Sequence, residues 1–425
     1  MINNKPDADL VIANANQLIQ CKEGVPFESG VIENGWLAVK GEKIIAVGTK
    51  DEVEAAVNTG QALKIDAGGK VVAPGFVDCH THLVFGGSRV EEYCALLTAK
   101  DTGELESKGI KSGIMATVEA TRKESISSLF NSAMARVDGM LSHGATTVES
   151  KSGYGLSVEA EKKILETSFM LRNKAPIDIV TTFLGAHGWP EDMAKAKYID
   201  LLTGEMIPWV ADRGLAKFCD VWCDEGKYTA HESRRILQAA RECGLELKIH
   251  TDAYSYIGGS DLAAEMGMVS ADHLNYTPRE AMRKLAEAGT VGVLMPALDF
   301  AVQHPRPFDY PAMKEEGMTL ALATNLCPGC WTESMQFVIV LACRLYRFSP
   351  QEALLAATIN GAKALNLDYD RGSLEKSKLA DIQIWDVPSY EHVVYRYGTN
   401  VVEKVIKKGL VVYDKNGAGI NNYNH

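Results

Sequence analysis

The sequence contains, at Val77-Asp78-Cys79-His80-Thr81-His82, a short apolar run that ends in two histidines. Four further apolar runs end in a comparable way, with His187, His250, His273 and Asn325 as their last polar residues. Runs of this length are typical of strands that are buried on both faces. Polar groups at the carboxyl ends of successive parallel strands form the active site of a (β/α)₈ barrel. The five runs therefore predict such a barrel, with one site at one end.

The middle of the chain alternates between strand and helix patterns. Eight strands, rich in Val, Ile, Leu or Ala, are predicted at 71–79, 145–150, 178–185, 217–223, 246–250, 267–272, 290–296 and 319–324. Helices are predicted between and after them, at 115–141, 157–173, 191–213, 229–243, 259–266, 278–288, 311–316, 334–345 and 350–364. Because parallel strands need such crossovers, the pattern favours an α/β fold with a (β/α)₈ TIM-like barrel. A doubly wound open sheet is the alternative, but no Gly-x-Gly-x-x-Gly turn opens the first helix.

Both ends of the chain have a different pattern, with short strands punctuated by turns. Residues 9–74 and the last 55 or so residues alternate apolar and polar positions. We expect them to form one small composite β-sandwich domain built from both termini, over 1–73 plus 370–425, beside a barrel over 74–369. Two unrelated β extensions are the alternative.

The overall composition narrows the possible partners. The chain has 425 residues, a formal net charge of -11 and a pI near 5.5, which gives no reason to expect nucleic acid or an anionic membrane surface as a partner. No apolar run approaches the roughly 20 residues that span a bilayer, and the polar amino terminus lacks a signal-peptide pattern. Nine scattered cysteines do not indicate a disulfide framework. We therefore expect a cytoplasmic protein that acts on a small molecule.

The histidines are the candidate metal ligands. In a strand, residues i and i+2 point to the same side, so His80 and His82 can bind one ion. His187, His250 and His273, which also end strands, strengthen this interpretation. His187 is either part of the site or a structural residue of its loop. His273 is predicted to act as an acid or base rather than as a ligand, because a catalytic ion keeps a position open for water. The preceding Asp272 is expected to point away and to pair outside the barrel.

Longer motifs around these residues resemble the amidohydrolase superfamily and, within it, the imidazolonepropionases. The resemblance covers almost the whole chain. Its most specific segment is Lys151-Ser152-Gly153-Tyr154-Gly155-Leu156, whereas His-x-His marks only the superfamily. The other segments that resemble the family are 80–89, 183–187, 248–252, 270–274 and 364–386.

The resemblance implies a metal-dependent opening of a cyclic amide, in which 4-imidazolone-5-propanoate becomes N-formimidoylglutamate during histidine breakdown. It implies one zinc or iron ion, held by His80, His82, His250 and the position of Asn325. It further implies that His273 assists proton transfer, and it suggests a homodimer.

The resemblance also assigns the substrate pocket. Arg89 would hold the propionate carboxylate, which a guanidinium can bind bidentately, and Tyr154 and His187 would surround the ring. We add Cys327 and Gly329, in the loop after the eighth strand, as predicted substrate contacts.

The sequence departs from the family pattern at four positions. Asn325 and Ala253 replace an aspartate and a glutamate, Cys327 replaces an asparagine, and Thr102-Gly103 lies where we expect a tyrosine. An amide can coordinate a metal but is not a base at neutral pH. Two other functions therefore stay open: the same chemistry on a different small cyclic amide or heterocycle, and a binding protein without catalysis.

The pair Cys327 and Cys330 has its own alternatives. Two cysteines at this spacing can form a redox pair. Alternatively, Cys327 would replace the missing carboxylate as a thiolate ligand of the metal.

Overall fold

A computed structural model describes residues 5–98 and 102–417 of the chain. The strands within these ranges are β1 Leu10–Ile19, β2 Val31–Lys40, β3 Lys43–Gly48, β4 Leu63–Asp66, β5 Val71–Pro74, β6 Phe76–Asp78, β7 Ala145–Lys151, β8 Asp178–Ala186, β9 Phe218–Cys223, β10 Glu246–Thr251, β11 Ser270–His273, β12 Val291–Leu294, β13 Leu320–Leu322, β14 Ile382–Trp385, β15 Val402–Lys407 and β16 Leu410–Asp414.

Most of the helices lie after the strands β6 to β13. They are α1 Lys50–Ala56, α2 Val90–Leu96, α3 Thr102–Ser107, α4 Gly113–Lys123, α5 Ile126–Ser142, α6 Val158–Lys174, α7 Lys195–Leu201, α8 Ile207–Asp212, α9 Ala230–Glu242, α10 Gly259–Glu265, α11 Arg279–Ala288, α12 Pro296–Ala301, α13 Tyr310–Glu315, α14 Met335–Tyr346, α15 Pro350–Ala356, α16 Ile359–Lys363 and α17 His392–Tyr395. Within the described ranges, no helix is long and apolar enough to cross a membrane.

The strands β6 to β13 form a parallel sheet in sequence order, as predicted for the barrel. Its first and last strands meet through the residues that follow them. Asn325 N donates to His80 O at 3.1 Å, and His82 N donates to Leu326 O at 2.8 Å. We call these two hydrogen bonds the seam. The (β/α)₈ barrel is confirmed, and the seam brings the first and eighth strands together at their carboxyl ends.

Several predicted elements are interrupted in the structure. The predicted helix 115–141 is two helices, because Ser125 caps α5 by accepting the Ser128 N–H at 3.1 Å. The predicted helix 191–213 includes a π-helical turn at Leu202–Met206, and 350–364 divides into α15 and α16. The predicted strand 290–296 ends at Leu294, because Pro296 starts α12 and proline is favoured in a first helical turn.

The predicted strand 71–79 divides at Gly75 between the two domains. β5 pairs with β14 and β1, whereas β6 opens the barrel. A Cβ atom at Gly75 would lie 2.2 Å from the Thr146 side chain, so only glycine fits at this crossing. The composite β domain from both termini is confirmed. Its strands form one continuous sheet in the order β16-β15-β14-β5-β1-β2-β3, with β4 also paired to β1. The exact domain boundaries stay a prediction.

The β domain meets the amino ends of the barrel strands through charged side chains. Asp178, the first residue of β8, lies 2.7 Å from Arg371 Nη1, 2.9 Å from Lys407 Nζ and 3.1 Å from Lys408 Nζ. Lys407 also contacts Asp381 at 2.6 Å. We call these five residues the junction cluster. It joins the barrel to the β domain at the end opposite to the histidines.

Candidate metal centre and active site

Five histidine side chains meet at the carboxyl ends of the barrel strands, and all five are buried. The His80 ring lies 4.5 Å from the His250 ring and 5.5 Å from the His82 ring, measured between centroids. His82 stacks on His187 at 4.8 Å, and His250 lies 5.1 Å from His273. The structure therefore brings together the five histidines that the sequence analysis selected from four separate segments.

Many polar atoms of this cluster have no hydrogen-bond partner among the residues that the structure describes. The buried atoms without a partner include His80 Nε2, His82 Nδ1, His187 Nδ1, His250 Nε2 and Asn325 Oδ1. Unsatisfied buried polar atoms cost free energy, and so many in one place are typical of a ligand-binding site. Imidazole nitrogen and amide oxygen are both metal donors. The residues present therefore fit a metal ion.

Distances between the donor atoms support the same conclusion. The donor atoms lie within 4.8 Å of one another in each of three groups, which are His80/His250/His273, His82/His187/His250 and Asp220/His250/Asp272. His250 belongs to all three groups, so it is the centre of the cluster. Cys327 belongs to none of these groups, and burial raises the pKa of its thiol, which favours the neutral form. These observations do not favour a thiolate ligand.

Two buried aspartates and a lysine lie behind the histidines. Asp272 Oδ2 lies 2.6 Å from His80 Nδ1, and Asp220 Oδ2 lies 2.9 Å from His250 Nδ1. Lys151 Nζ lies 2.7 Å from Asp220 and 3.3 Å from Asp272. Carboxylates in this position fix the ring orientation of a ligating histidine and increase its basicity.

The prediction that Asp272 pairs outside the barrel is therefore wrong. It assumed that the strand alternation continues through His273. Instead His273 has φ 86° and Leu274 has φ 64°, so the backbone turns left-handed where β11 ends. Asp272 and His273 can then both face the site.

Burial keeps the imidazoles neutral. It lowers the pKa of His273 to about 4 and that of His187 to about 3, and it holds the pKa of His80, His82 and His250 well below the usual value of a histidine. Neutral imidazole is the form that binds a metal or accepts a proton. Burial would also lower the pKa of Lys151, but the adjacent Asp220, Glu149 and Asp272 raise it above its usual range. Lys151 therefore carries the positive charge beneath the histidines.

The segment Lys151–Leu156 forms a tight loop around a buried carboxylate. Glu161 accepts hydrogen bonds from the backbone N–H groups of Gly153, Gly155 and Leu156, at 3.0, 2.6 and 3.0 Å. Gly153 has φ 110°, and a Cβ atom there would lie 2.8 Å from the Cβ of His187. The loop thereby places the Tyr154 ring 5.3 Å from the His187 ring.

A cavity of about 320 Å³ opens above the histidines. Its lining includes all of the predicted substrate contacts, which are Arg89, Tyr154, His187, Cys327 and Gly329. The Arg89 guanidinium already binds Glu92, through Nε at 2.6 Å and Nη2 at 2.5 Å. Of the described residues that line the cavity, none is an aspartate or a glutamate.

The structure adds cavity residues that the sequence did not identify. Trp222, Lys227 and Tyr254 also line it. The sequence signal that could have identified them was their position at the same end of the barrel as the histidines. Trp222 lies near the end of β9, Lys227 follows β9 and Tyr254 follows β10. Beneath them, Asp224 accepts the N–H groups of Ala253 and Tyr254, each at 3.0 Å.

A further histidine contacts the residues after β10. His304 lies with Nε2 2.9 Å from Ala253 O. It therefore braces the loop after β10.

Asn325 and the cysteine pair belong to the loop after β13. Asn325 has φ 51°, a left-handed conformation that asparagine tolerates better than most residues. Its amide Nδ2 lies 3.8 Å from Cys327 Sγ. Cys327 and Cys330 exchange backbone hydrogen bonds of 3.0 and 3.1 Å, and both thiols are free. Burial raises the pKa of both thiols, and buried, protonated thiols are unreactive. These observations do not favour redox catalysis.

Comparisons with known proteins agree with this geometry. Two models described as the amidohydrolase family match residues 308–412 and 64–125. The imidazolonepropionase of Alkaliphilus metalliredigens is 41% identical over 420 residues, which is 96% of this chain and 98% of the relative. The imidazolonepropionase of Symbiobacterium thermophilum is 42% identical over 417 residues, again with 96% and 98% covered.

Solved structures share the fold at lower identity. An adenosine deaminase from Xanthomonas campestris with bound zinc has a TM-score of 0.70 and 17% identity, with 96% of this chain and 93% of that chain covered. A triazine hydrolase variant has a TM-score of 0.73 and 18% identity, with 95% and 94% covered.

Proposed function

Because this chain belongs to the imidazolonepropionases, which are amidohydrolases, we propose that its cavity opens the ring of 4-imidazolone-5-propanoate to give N-formimidoyl-L-glutamate. The chain is a hydrolase that acts on the carbon–nitrogen bond of a cyclic amide. The observation that carries the proposal is the group of buried, unpartnered histidine nitrogens beneath a cavity of about 320 Å³. This cavity is at the lower end of the range for small-molecule sites.

A divalent metal ion fits the histidine cluster. His80, His82 and His250 would hold it, with Asn325 Oδ1 as the fourth donor. When bound, such an ion lowers the pKa of water and polarises a carbonyl group. We propose zinc or iron, because imidazole and amide ligands suit both.

The reaction also needs a group that moves protons. The Asn325 amide cannot accept one at neutral pH. We assign this role to His273, which lines the cavity and whose low pKa keeps the imidazole free to accept a proton from water. Its conjugate acid would then deliver that proton to the ring nitrogen that leaves the carbonyl carbon.

The remaining cavity residues would orient the ring. Tyr154 and His187 form one wall, and Cys327 and Gly329 lie in the loop after β13. Arg89 would bind the propionate carboxylate through Nη1, because its Nε and Nη2 are occupied by Glu92. We further expect the protein to be cytoplasmic and to form a homodimer. Light scattering of the purified protein would test the dimer.

The experiment is hydrolysis of freshly prepared 4-imidazolone-5-propanoate by zinc-loaded and iron-loaded protein, followed by the loss of ultraviolet absorbance. We expect metal-dependent turnover, which His273→Ala lowers by about 10²- to 10⁴-fold. The matched control is His231→Ala, an exposed histidine at the start of α9, which should retain the rate. Absence of turnover by folded, metal-loaded protein would contradict the proposal.

A second candidate is the same chemistry on another small cyclic amide or heterocycle. It is favoured by the absence of aspartate and glutamate from the described cavity lining. A panel of such rings, with 4-imidazolone-5-propanoate as the poorest substrate, would support it.

A further inference from the structure

Lys227 occupies a fixed position at the carboxyl end of the fourth barrel strand. It follows a tight turn after β9, in which Gly226 has φ 75°. Lys227 N donates to Asp224 O at 3.0 Å, and Lys195 Nζ donates to Lys227 O at 3.1 Å. Tyr228 N closes the turn by donating to Trp222 O at 3.1 Å. The backbone therefore holds the Lys227 side chain at the wall of the cavity.

The ammonium group of Lys227 has no acidic partner at ion-pair distance among the described residues. It lies 4.1 Å from the centre of the Trp222 ring and lines the cavity. Partial burial lowers its pKa, and the nearby Asp224 has a smaller effect in the opposite direction. By contrast, the buried Lys248 lies 2.8 Å from Glu149. A partly desolvated cation without a counterion is costly unless a ligand supplies the negative charge.

Beside Lys227 is a second unsatisfied donor. The Trp222 Nε1–H group is buried and has no acceptor in the described part of the chain. An ammonium and an indole N–H that both lack acceptors would suit an anionic oxygen.

Lys227 and Arg89 lie on different sides of the cavity. Three aromatic rings form the wall between them, with 5.3 Å between the Trp222 and His187 centroids and 5.3 Å between those of His187 and Tyr154. Lys227 lies at the Trp222 end of this wall, and the Arg89 charge acts on Tyr154 at the other end. Glu92 already neutralises Arg89, so Lys227 carries the uncompensated positive charge.

The proposed reaction creates a second negative group. The oxygen of water bonds to the ring carbonyl carbon, and the bond from that carbon to the ring nitrogen breaks. Both protons of water end on the formimidoyl nitrogens, so the former carbonyl becomes a carboxylate. The substrate has one carboxylate and the product has two.

We propose that Lys227 binds the carboxylate that ring opening creates, on the side of the cavity opposite to Arg89. This inference rests on the proposed function. Because the charge is absent from the substrate and develops during the reaction, Lys227 acts more strongly on the later states than on the bound substrate. It is therefore a further catalytic residue, and its removal lowers kcat more than it raises KM.

The test compares Lys227→Met with a matched control in the metal-loaded enzyme. The control is Lys162→Met, since Lys162 also lies over a tryptophan, at 4.7 Å from Trp209, but outside the cavity. Calorimetry measures the Kd of N-formimidoyl-L-glutamate, which has two carboxylates, and of imidazole-4-propanoate, which has one. We expect Lys227→Met to raise the Kd of the product by about tenfold or more and to change the Kd of the one-carboxylate ligand by no more than about twofold. We expect the same variant to lower kcat about 10- to 100-fold. Lys227→Arg should recover part of both losses.

The outcomes separate the two proposals. If Lys227→Met binds the product as tightly as the wild type does, the proposed role of Lys227 is wrong. It is also wrong if the affinity for both ligands falls by the same factor. If the wild-type protein fails to hydrolyse the substrate but binds the product through Lys227, the proposed function fails and the anion site stands. Thermal melting of both variants separates a lost contact from a lost fold.

Discussion

The two ends of the barrel both contain buried charged and polar groups, but they satisfy them differently. At the amino ends of the strands, Asp178 contacts Arg371, Lys407 and Lys408 within 3.1 Å. At the carboxyl ends, one ring nitrogen each of His80, His82 and His250 has no partner within residues 5–98 and 102–417. The charged side chains at the amino end are paired with one another, whereas the histidine nitrogens at the carboxyl end are available to a metal ion.

Because of this difference, we expect the amino end of the barrel to contribute mainly to stability and the carboxyl end mainly to activity. Paired charges at the junction cluster hold the β domain against the barrel, so a substitution there should cost stability and leave the chemistry intact. The unpartnered donors are retained at a cost in free energy. A substitution there should remove activity and cost little stability, or even increase it.

The largest expected effect is on activity at the carboxyl end. His250→Ala removes the residue shared by all three donor groups. We expect loss of bound metal and at least about a thousandfold loss of kcat/KM, which corresponds to more than about 4 kcal/mol of transition-state stabilisation. Metal analysis and the ultraviolet assay measure both. Retained metal and retained activity would show that the ion lies elsewhere.

A smaller effect is expected from the carboxylate behind His80. Asp272→Asn preserves shape but weakens the contact that orients His80 and leaves Lys151 with one fewer counterion. We expect metal affinity to fall about 10- to 100-fold. Competition with a chelator measures it. Unaltered affinity would mean that His80 is oriented by its backbone alone.

The matching substitution at the amino end should affect stability instead. Asp178→Asn removes the carboxylate shared by three cations, and we expect a loss of about 2 kcal/mol, less than for a fully buried pair because Asp178 is partly exposed. Urea unfolding measures the loss, and kcat should remain unchanged. The exposed Asp212→Asn, at the end of α8, is the control. A fall in kcat at full stability would contradict the division between the two ends.

The stability effect at Asp178 should depend on pH. Partial burial would raise its pKa, but Lys407 and Arg371 outweigh burial and hold the pKa below its usual value. The carboxylate therefore stabilises the fold above the unfolded-state pKa of about 4, and this contribution is lost as the pH falls through the lower folded-state pKa. The difference in Tm between wild type and Asp178→Asn should be full at pH 6 and smaller at pH 3. If the Tm difference instead increased on acidification, the pKa of Asp178 would not be lowered in the folded protein.

The smallest expected effect is a gain. Asn325→Asp places a carboxylate where the unpartnered Oδ1 now lies, and it can both bind the metal and accept a proton. We expect kcat/KM to rise about tenfold. An unchanged or lower rate would mean that the surrounding site has adapted to the amide.

The sequence predicted the parts of this protein that depend on local pattern. The apolar runs located all eight barrel strands, and the histidines at their ends converge in the structure. Asp272 was misplaced because strand alternation says nothing of the left-handed turn at His273. The pairing of Arg89 with Glu92 and the position of Lys227 over Trp222 were not predicted, because they depend on how loops from different strands meet.

The seam has a consequence for the synthesis of the chain. Asp78 and Thr324, which it brings to a 3.1 Å hydrogen bond, are 246 residues apart. At a translation rate of about 5–20 residues per second, His80 and His82 leave the ribosome on the order of ten seconds or more before the eighth strand exists. The full ligand set is therefore assembled only by a late, long-range closure, which is intrinsically slow. An ion that reaches the nascent chain before this closure finds only His80 and His82, which do not form a selective site. Metal binding by the full ligand set therefore follows closure of the barrel.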